Sequence, residues 1–270
     1  MLGNSRRRLF FAALLGLLGL PALSRADFDT GPLTATGSNP GTGHTESATV
    51  DFNFVSATKT LTVTLTNSST NVYTGTTGST ALQPADILLG VFFTLAGGVT
   101  MGSADSANLT AGSAVVNASA NAADGWGFVN GNGGQGTSQA IAASGFLNNL
   151  GMSNFDNSVP TSLDGFDYGL VGSGYTPGSG VDGIPGKPLI QTSMTFVFHT
   201  SADLGNNAAN AIGALSFQYG TALSELNLPG PPIPGAGSVP APPSVILLGV
   251  GAGLMGLGRW RRRRSTDVAA

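Results

Sequence analysis

The sequence predicts a mainly β protein: an antiparallel β-sandwich, jelly-roll-like or Ig-like in layout, with at most one or two short helices, plus a single C-terminal transmembrane helix. Three observations point there. Short segments alternate apolar and polar residues with a period of two, Gly, Asn and Ser separate them, and sustained helical periodicity is sparse.

The elements follow in chain order. In "ATVDFNF", Val50, Phe52 and Phe54 share one face, and Asp51 and Asn53 the other. "KTLTVTLT" sets Leu61, Val63 and Leu65 against Thr62, Thr64 and Thr66. Both read as half-buried antiparallel strands, and the "VSATK" between them is short enough for a hairpin. "DILLGVFFTL", Asp86 to Leu95, is continuously apolar and suits a central strand buried on both faces. "GSAVVNAS", "GWGFVNG", "SMTFVFHT" and "IGALSFQYG" supply further strands. Ser138 to Met152, with Ile141, Phe146, Leu147 and Leu150, is expected as one short helix interrupted by Gly145. No repeat of fixed period appears, which argues against a solenoid.

Both ends read as addresses. Arg6, Arg7 and Arg8 precede the apolar run Leu9 to Leu20, and Ser24-Arg25-Ala26 places small residues for cleavage between Ala26 and Asp27. Twelve residues at ~1.5 Å rise span ~18 Å, short of a ~30 Å hydrocarbon core, so this is a signal peptide rather than an anchor. Ser5 to Phe10 also loosely fits a twin-arginine signal, leaving the export route open between the two. At the other end, Val245 to Leu257 is uncharged, and Arg259, Arg261, Arg262, Arg263 and Arg264 follow it directly. The positive-inside rule keeps these arginines cytoplasmic and the body outside. The organisation expected is a signal peptide at 1–26 and an extracytoplasmic β-sandwich at 27–228. A Pro/Gly-rich linker with a sorting motif follows at 229–243, then a transmembrane segment at 244–258 and a basic tail at 259–270.

The charge distribution agrees. Residues 27–258 hold two lysines, no arginine and thirteen acids, a net −11, although the whole chain sums to −3. Such a body is repelled by phosphates, so no nucleic-acid partner is expected. The chain has no cysteine, which excludes a thiol nucleophile and a thiolate metal site.

The stretch Val239, Pro240, Ala241, Pro242, one hydrophobic segment and a terminal arginine cluster resembles the PEP-CTERM sorting signal of exported proteins in Gram-negative bacteria. Family members usually read Val-Pro-Glu-Pro, and here alanine stands at the acidic position. The resemblance covers about residues 239–264. Phrases such as "SATVDFNFVSATKTLTVTLTNSS" and "ALSFQYGTALSELNLPG" are also similar to the bodies of such surface proteins. It implies processing by signal peptidase and by an exosortase, a membrane sorting enzyme. It further implies transient anchoring in the inner membrane, then display on the envelope or release into the matrix, in association with exopolysaccharide. An unprocessed, permanent single-pass membrane protein is the competing reading of the same tail.

Chemistry is sparse. His44 and His199 have no second histidine at i+2 or i+4, so neither makes a local metal motif. No Gly-x-Ser-x-Gly marks a nucleophile, and an exported hydrolase, with His199 its residue to test, ranks below a non-enzymatic role. Gly131 to Gly136 satisfies Gly-x-Gly-x-x-Gly without the strand-then-helix setting and reads as a mobile surface loop. No cofactor is expected beyond a structural calcium ion, for which Asp156, Asp164, Asp167 and Asp182 offer oxygen ligands in a Gly/Ser/Asn-rich stretch. Asp-Gly is equally a plain turn dipeptide there. A carbohydrate-binding module is the alternative function, with Trp126, Tyr168, Tyr175 and Tyr219 as stacking surfaces against ordinary core packing.

Overall fold

The computed structural model describes residues 27–73, 81–117, 125–143, 152–155, 167–176 and 187–235. Two sheets face each other across one core. The first takes β1 (Phe28–Asp29), β2 (Leu33–Ser38), β3 (Thr45–Val55), β4 (Thr60–Asn67), β6 (Met101–Leu109) and β13 (Ser193–Thr200). Its order is β1-β3-β4-β13-β6, with β2 also paired to β3. The second is built around β5 (Leu88–Leu95), with β7 (Ala114–Val116), β8 (Trp126–Gly134), β9 (Thr137–Ala143), β10 (Ser153–Asn154), β11 (Leu170–Val171), β12 (Leu189–Gln191), β14 (Ile212–Tyr219) and β15 (Asn227–Pro229). β11 and β12 pair in parallel and the other pairs are antiparallel.

The β3–β4 hairpin forms as its alternation dictates, with Phe52 opposite Val63 and Phe54 opposite Leu61. Their inward row and that of β13 are fully buried and meet the second sheet through aromatic rings: Phe52 of β3 on Phe93 at 5.1 Å, and Phe196 and Phe198 of β13 on Trp126 at 5.0 Å and Phe128 at 5.2 Å. Edge-on and tilted rings of this kind add to the area they bury. β5 is central and buried on both faces: Val91 and Phe93 enter the main core, whereas Leu89 and Phe92 join two smaller clusters. Gly90 in that strand lets β9 approach, because a Cβ there would lie 2.5 Å from that of Ala142.

The opposite face of the first sheet is a grid of hydroxyls. Thr34, Thr49, Thr66 and Ser193 align across β2, β3, β4 and β13. Thr34 bonds Thr49 at 2.8 Å, Thr66 donates to Ser193 at 2.8 Å, and Thr64 meets Thr195 at 3.3 Å.

Two sequence expectations need correction. Residues 138–143, expected at the start of a helix, lie in β9, held between β5 and β8. Small Ala140 and Ala142 fit between tightly spaced strands, so tertiary pairing overrides local propensity. The rest of that stretch to Gly151 lies outside the described residues. The glycine run 131–136 is a bulged β8–β9 hairpin, with Gly134 paired to Thr137 and Gly131, Gly134 and Gly136 at positive φ, not a mobile loop. Among the described residues the helices are two three-residue 3-10 turns, Pro84–Asp86 and Ala96–Gly98, and α1 (Ala208–Ala211). No described helix is long and apolar enough to cross a membrane. The tail segment 244–258 lies outside the described residues.

Candidate functional site

Glu46 breaks the inward row of β3. Parity puts residues 46, 48, 50, 52 and 54 on one face, and Ala48, Val50, Phe52 and Phe54 are apolar and fully buried. Glu46 is equally inaccessible, at 0% exposure. A carboxyl group in that position must be compensated.

Four pieces of chain supply the compensation. The β2–β3 turn is closed by Asn39 N–H donating to the His44 carbonyl and Gly43 N–H to that of Asn39, both at 2.7 Å. Gly43 takes φ 78° there, which costs glycine little. The turn places His44 two residues before Glu46, on the same side of the strand. The 3-10 turn before β5 delivers Asp86, 1% exposed. The segment after β4 brings Ser69 and Asn71, and the end of β14 brings Tyr219.

Asp86 gathers four donors. Oδ1 accepts from Thr42 Oγ1 at 2.6 Å and from Asn39 Nδ2 at 3.3 Å. Oδ2 accepts from the Gln83 N–H at 3.0 Å and lies 2.9 Å from His44 Nδ1. Glu46 accepts from Ser69 Oγ at 2.8 Å on Oε2 and from Asn71 Nδ2 at 3.1 Å on Oε1, and its carboxyl also hydrogen-bonds that of Asp86. Burial first, then the charge of Asp86 and the bond to it, push the Glu46 carboxyl from 4.5 up to about 8; Ser69 and His44 act the other way. At neutral pH Glu46 therefore favours its protonated form. Tyr73 packs edge-on to His44 at 5.6 Å, and burial and then the nearby carboxyls raise its phenol pKa. Tyr219 is fully buried, its hydroxyl 3.4 Å from Ser69 Oγ, and burial likewise raises its pKa.

The donor atoms of His44, Glu46 and Asp86 lie within 4.8 Å of one another. One imidazole and two carboxyls can share protons or hold a cation. His44 lacks the second histidine of a local metal motif, and its partner on the strand is instead the acid at i+2, Glu46. His-Thr-Glu at the start of an alternating strand, with Glu46 in the parity of a buried row, was the available signal. Asp86 carried none, since only folding brings it to His44.

Of the residues singled out from sequence, His44 is in the cluster and Tyr219 touches it through Ser69, and the other described ones are placed elsewhere. Trp126, Tyr168, Tyr175 and Tyr219 are all buried, at 9% exposure or less, so they form core and not a sugar-stacking surface. Trp126 instead donates its indole N–H to the Tyr168 carbonyl at 3.1 Å. His199 is half exposed, with Nε2 3.0 Å from Asp105 and Nδ1 3.3 Å from the Thr58 carbonyl. Of the calcium candidates, Asp167 sits 3.7 Å from the Lys187 ammonium, while Asp156, Asp164 and Asp182 lie outside the described residues. Asp27 accepts from the Ser56 N–H at 2.8 Å, whereas Ala26, Val239, Pro240, Ala241, Pro242 and the tail arginines lie outside the described residues.

The fold and site thus define a two-sheet β protein with a buried histidine–dicarboxyl cluster at the β2–β3 turn. No protein-family model, curated protein or solved structure matches the chain.

Proposed function

We propose that the chain is an exported envelope or extracellular-matrix protein, sorted through a PEP-CTERM-like C-terminal signal and processed by an exosortase. Its role is structural or interactive, in association with exopolysaccharide. The observation that carries the reading is the order of the tail: Pro240-Ala241-Pro242, the apolar segment Val245 to Leu257, then Arg259 and Arg261 to Arg264. In this reading residues 244–258 form a single transmembrane helix, and the sandwich, jelly-roll-like or Ig-like in layout, stays outside. The bond from Ser56 N–H to Asp27 supports cleavage after Ala26, because it uses the first residue of the body.

The hydroxyl grid of the first sheet supports the interaction role. It offers the neutral hydroxyls of Thr34, Thr49, Thr64 and Thr195 as donors and acceptors to a hydrated polysaccharide, with Asp51 on the same face beside Thr64. Mass spectrometry of the mature protein, from cells with and without an exosortase, tests the sorting. Expected is a chain beginning at Asp27 and lacking Arg261 to Arg264 only when the enzyme is present. An intact arginine end in its presence would sink the proposal.

A further inference from the structure

We infer that His44, Glu46 and Asp86 form a binding site for a divalent cation of the zinc class. This goes beyond the sorting and display reading and does not depend on it.

The donor set is the first argument. A tetrahedral site with arms of ~2.0–2.1 Å has ligand atoms ~3.3 Å apart along its edges. The three donor atoms already lie within 4.8 Å of one another, with His44 Nδ1 and Asp86 Oδ2 at 2.9 Å. Imidazole nitrogen with two carboxylate oxygens suits zinc and its neighbours, whereas calcium asks for six to eight oxygens.

Charge is the second argument. Two carboxyls occupy a buried position, and residues 27–258 contain no arginine and only Lys59 and Lys187 as lysines. Lys187 is engaged with Asp167, and Lys59 starts no ion pair with the cluster among the described residues. A divalent ion with neutral His44 and two carboxylates gives a site of zero net charge, which answers the desolvation of the pair. Binding releases the protons held on the ligands and forms three ligand-to-metal bonds, with no redox change.

The supporting shell is the third. Ligating carboxylates are themselves hydrogen-bonded in built sites. Here Thr42 and Asn39 hold Asp86, and Ser69 and Asn71 hold Glu46. His44 keeps 14% of its side chain exposed, so the cluster reaches solvent at the imidazole. Tyr73 fixes the imidazole ring from its edge.

The test uses the full-length chain in detergent, stripped with chelator and titrated with ZnCl2 by calorimetry, with metal content and thermal melting read in parallel. Expected are one zinc per chain and a raised Tm. Glu46→Gln should weaken binding at least ~100-fold, and His199→Gln, on the surface, should leave it unchanged. Glutamine keeps the size of Glu46 and can donate to Asp86, so this variant is built to fold; Asp86→Asn is the second reading of the site. Absence of zinc uptake, uptake unchanged in Glu46→Gln, or stabilisation by CaCl2 in place of ZnCl2 would each overturn the inference.

Discussion

His44 Nδ1 lies 2.9 Å from Oδ2 of Asp86, joining the β2–β3 turn to the start of the central strand β5. This contact closes one end of the protein around two carboxyls, and it makes that end sensitive to protons. Glu46 is the group that responds. Its carboxyl is raised from 4.5 to about 8 on folding, so between those values the folded chain holds a proton that the unfolded chain has released. The stabilising effect is complete below pH 4.5 and is lost as pH rises through 8. In excess chelator, the Tm should fall by about 5 °C or more from pH 5 to pH 8, by calorimetry. Glu46→Gln should flatten that slope. A Tm that climbs over the window would contradict the assignment.

Phe196 joins both sheets and is fully buried, with Trp126 at 5.0 Å and Phe155 at 5.2 Å from its ring. Phe196→Ala removes contacts on two sides and leaves a cavity. Urea unfolding followed by tryptophan fluorescence should register a loss of about 3–5 kcal/mol.

Gly90→Ala tests strand spacing rather than core volume. The added methyl would meet the Ala142 Cβ at 2.5 Å and the Ile141 carbonyl at 2.8 Å, both in β9. Backbone must move to admit it, and a destabilisation of about 1–3 kcal/mol in the same urea assay is expected. An unchanged midpoint would mean β9 is more loosely held than its pairing implies.

The His199–Asp105 pair should matter little. Both side chains are 40% exposed or more, and solvent screens such pairs. Asp105→Asn should change stability by less than about 1 kcal/mol, and the difference should shrink in high salt.

The tail yields a prediction about processing. Ala241→Glu restores the acid that the resembling family carries at this position, and should raise the fraction of chains that lose their arginine end. Replacing Arg261 to Arg264 with glutamine should lower it, because the positive charges fix orientation. Intact-mass analysis of envelope fractions reads both.

The strands most legible in the sequence are those whose side chains alone decide their place. Phe52 and Phe54 against Leu61 and Val63 announce a half-buried pair, and Leu88 to Leu95 announces a strand covered on both sides. β6 gives no such sign: "MGSADSANL" is polar and irregular, and it is a strand because β13 pairs with it through register shifts. β9 was hidden by its alanines, which resemble helix formers until Gly90 shows how close its neighbour comes. The site divides in the same way. His44 and Glu46 are legible through parity on one strand, whereas Asp86 acquires its meaning only from the fold that carries it 42 residues back to His44.

The hydroxyl grid has a consequence for where such a molecule can work. Its lateral contacts, Thr34 to Thr49 and Thr66 to Ser193 among them, are between neutral groups. Dissolved ions screen charges over ~8–10 Å at moderate ionic strength, but they leave a hydroxyl-to-hydroxyl bond essentially untouched. A face knitted this way keeps its shape in dilute and in saline surroundings alike, while the acidic body around it adjusts its long-range repulsion to the medium.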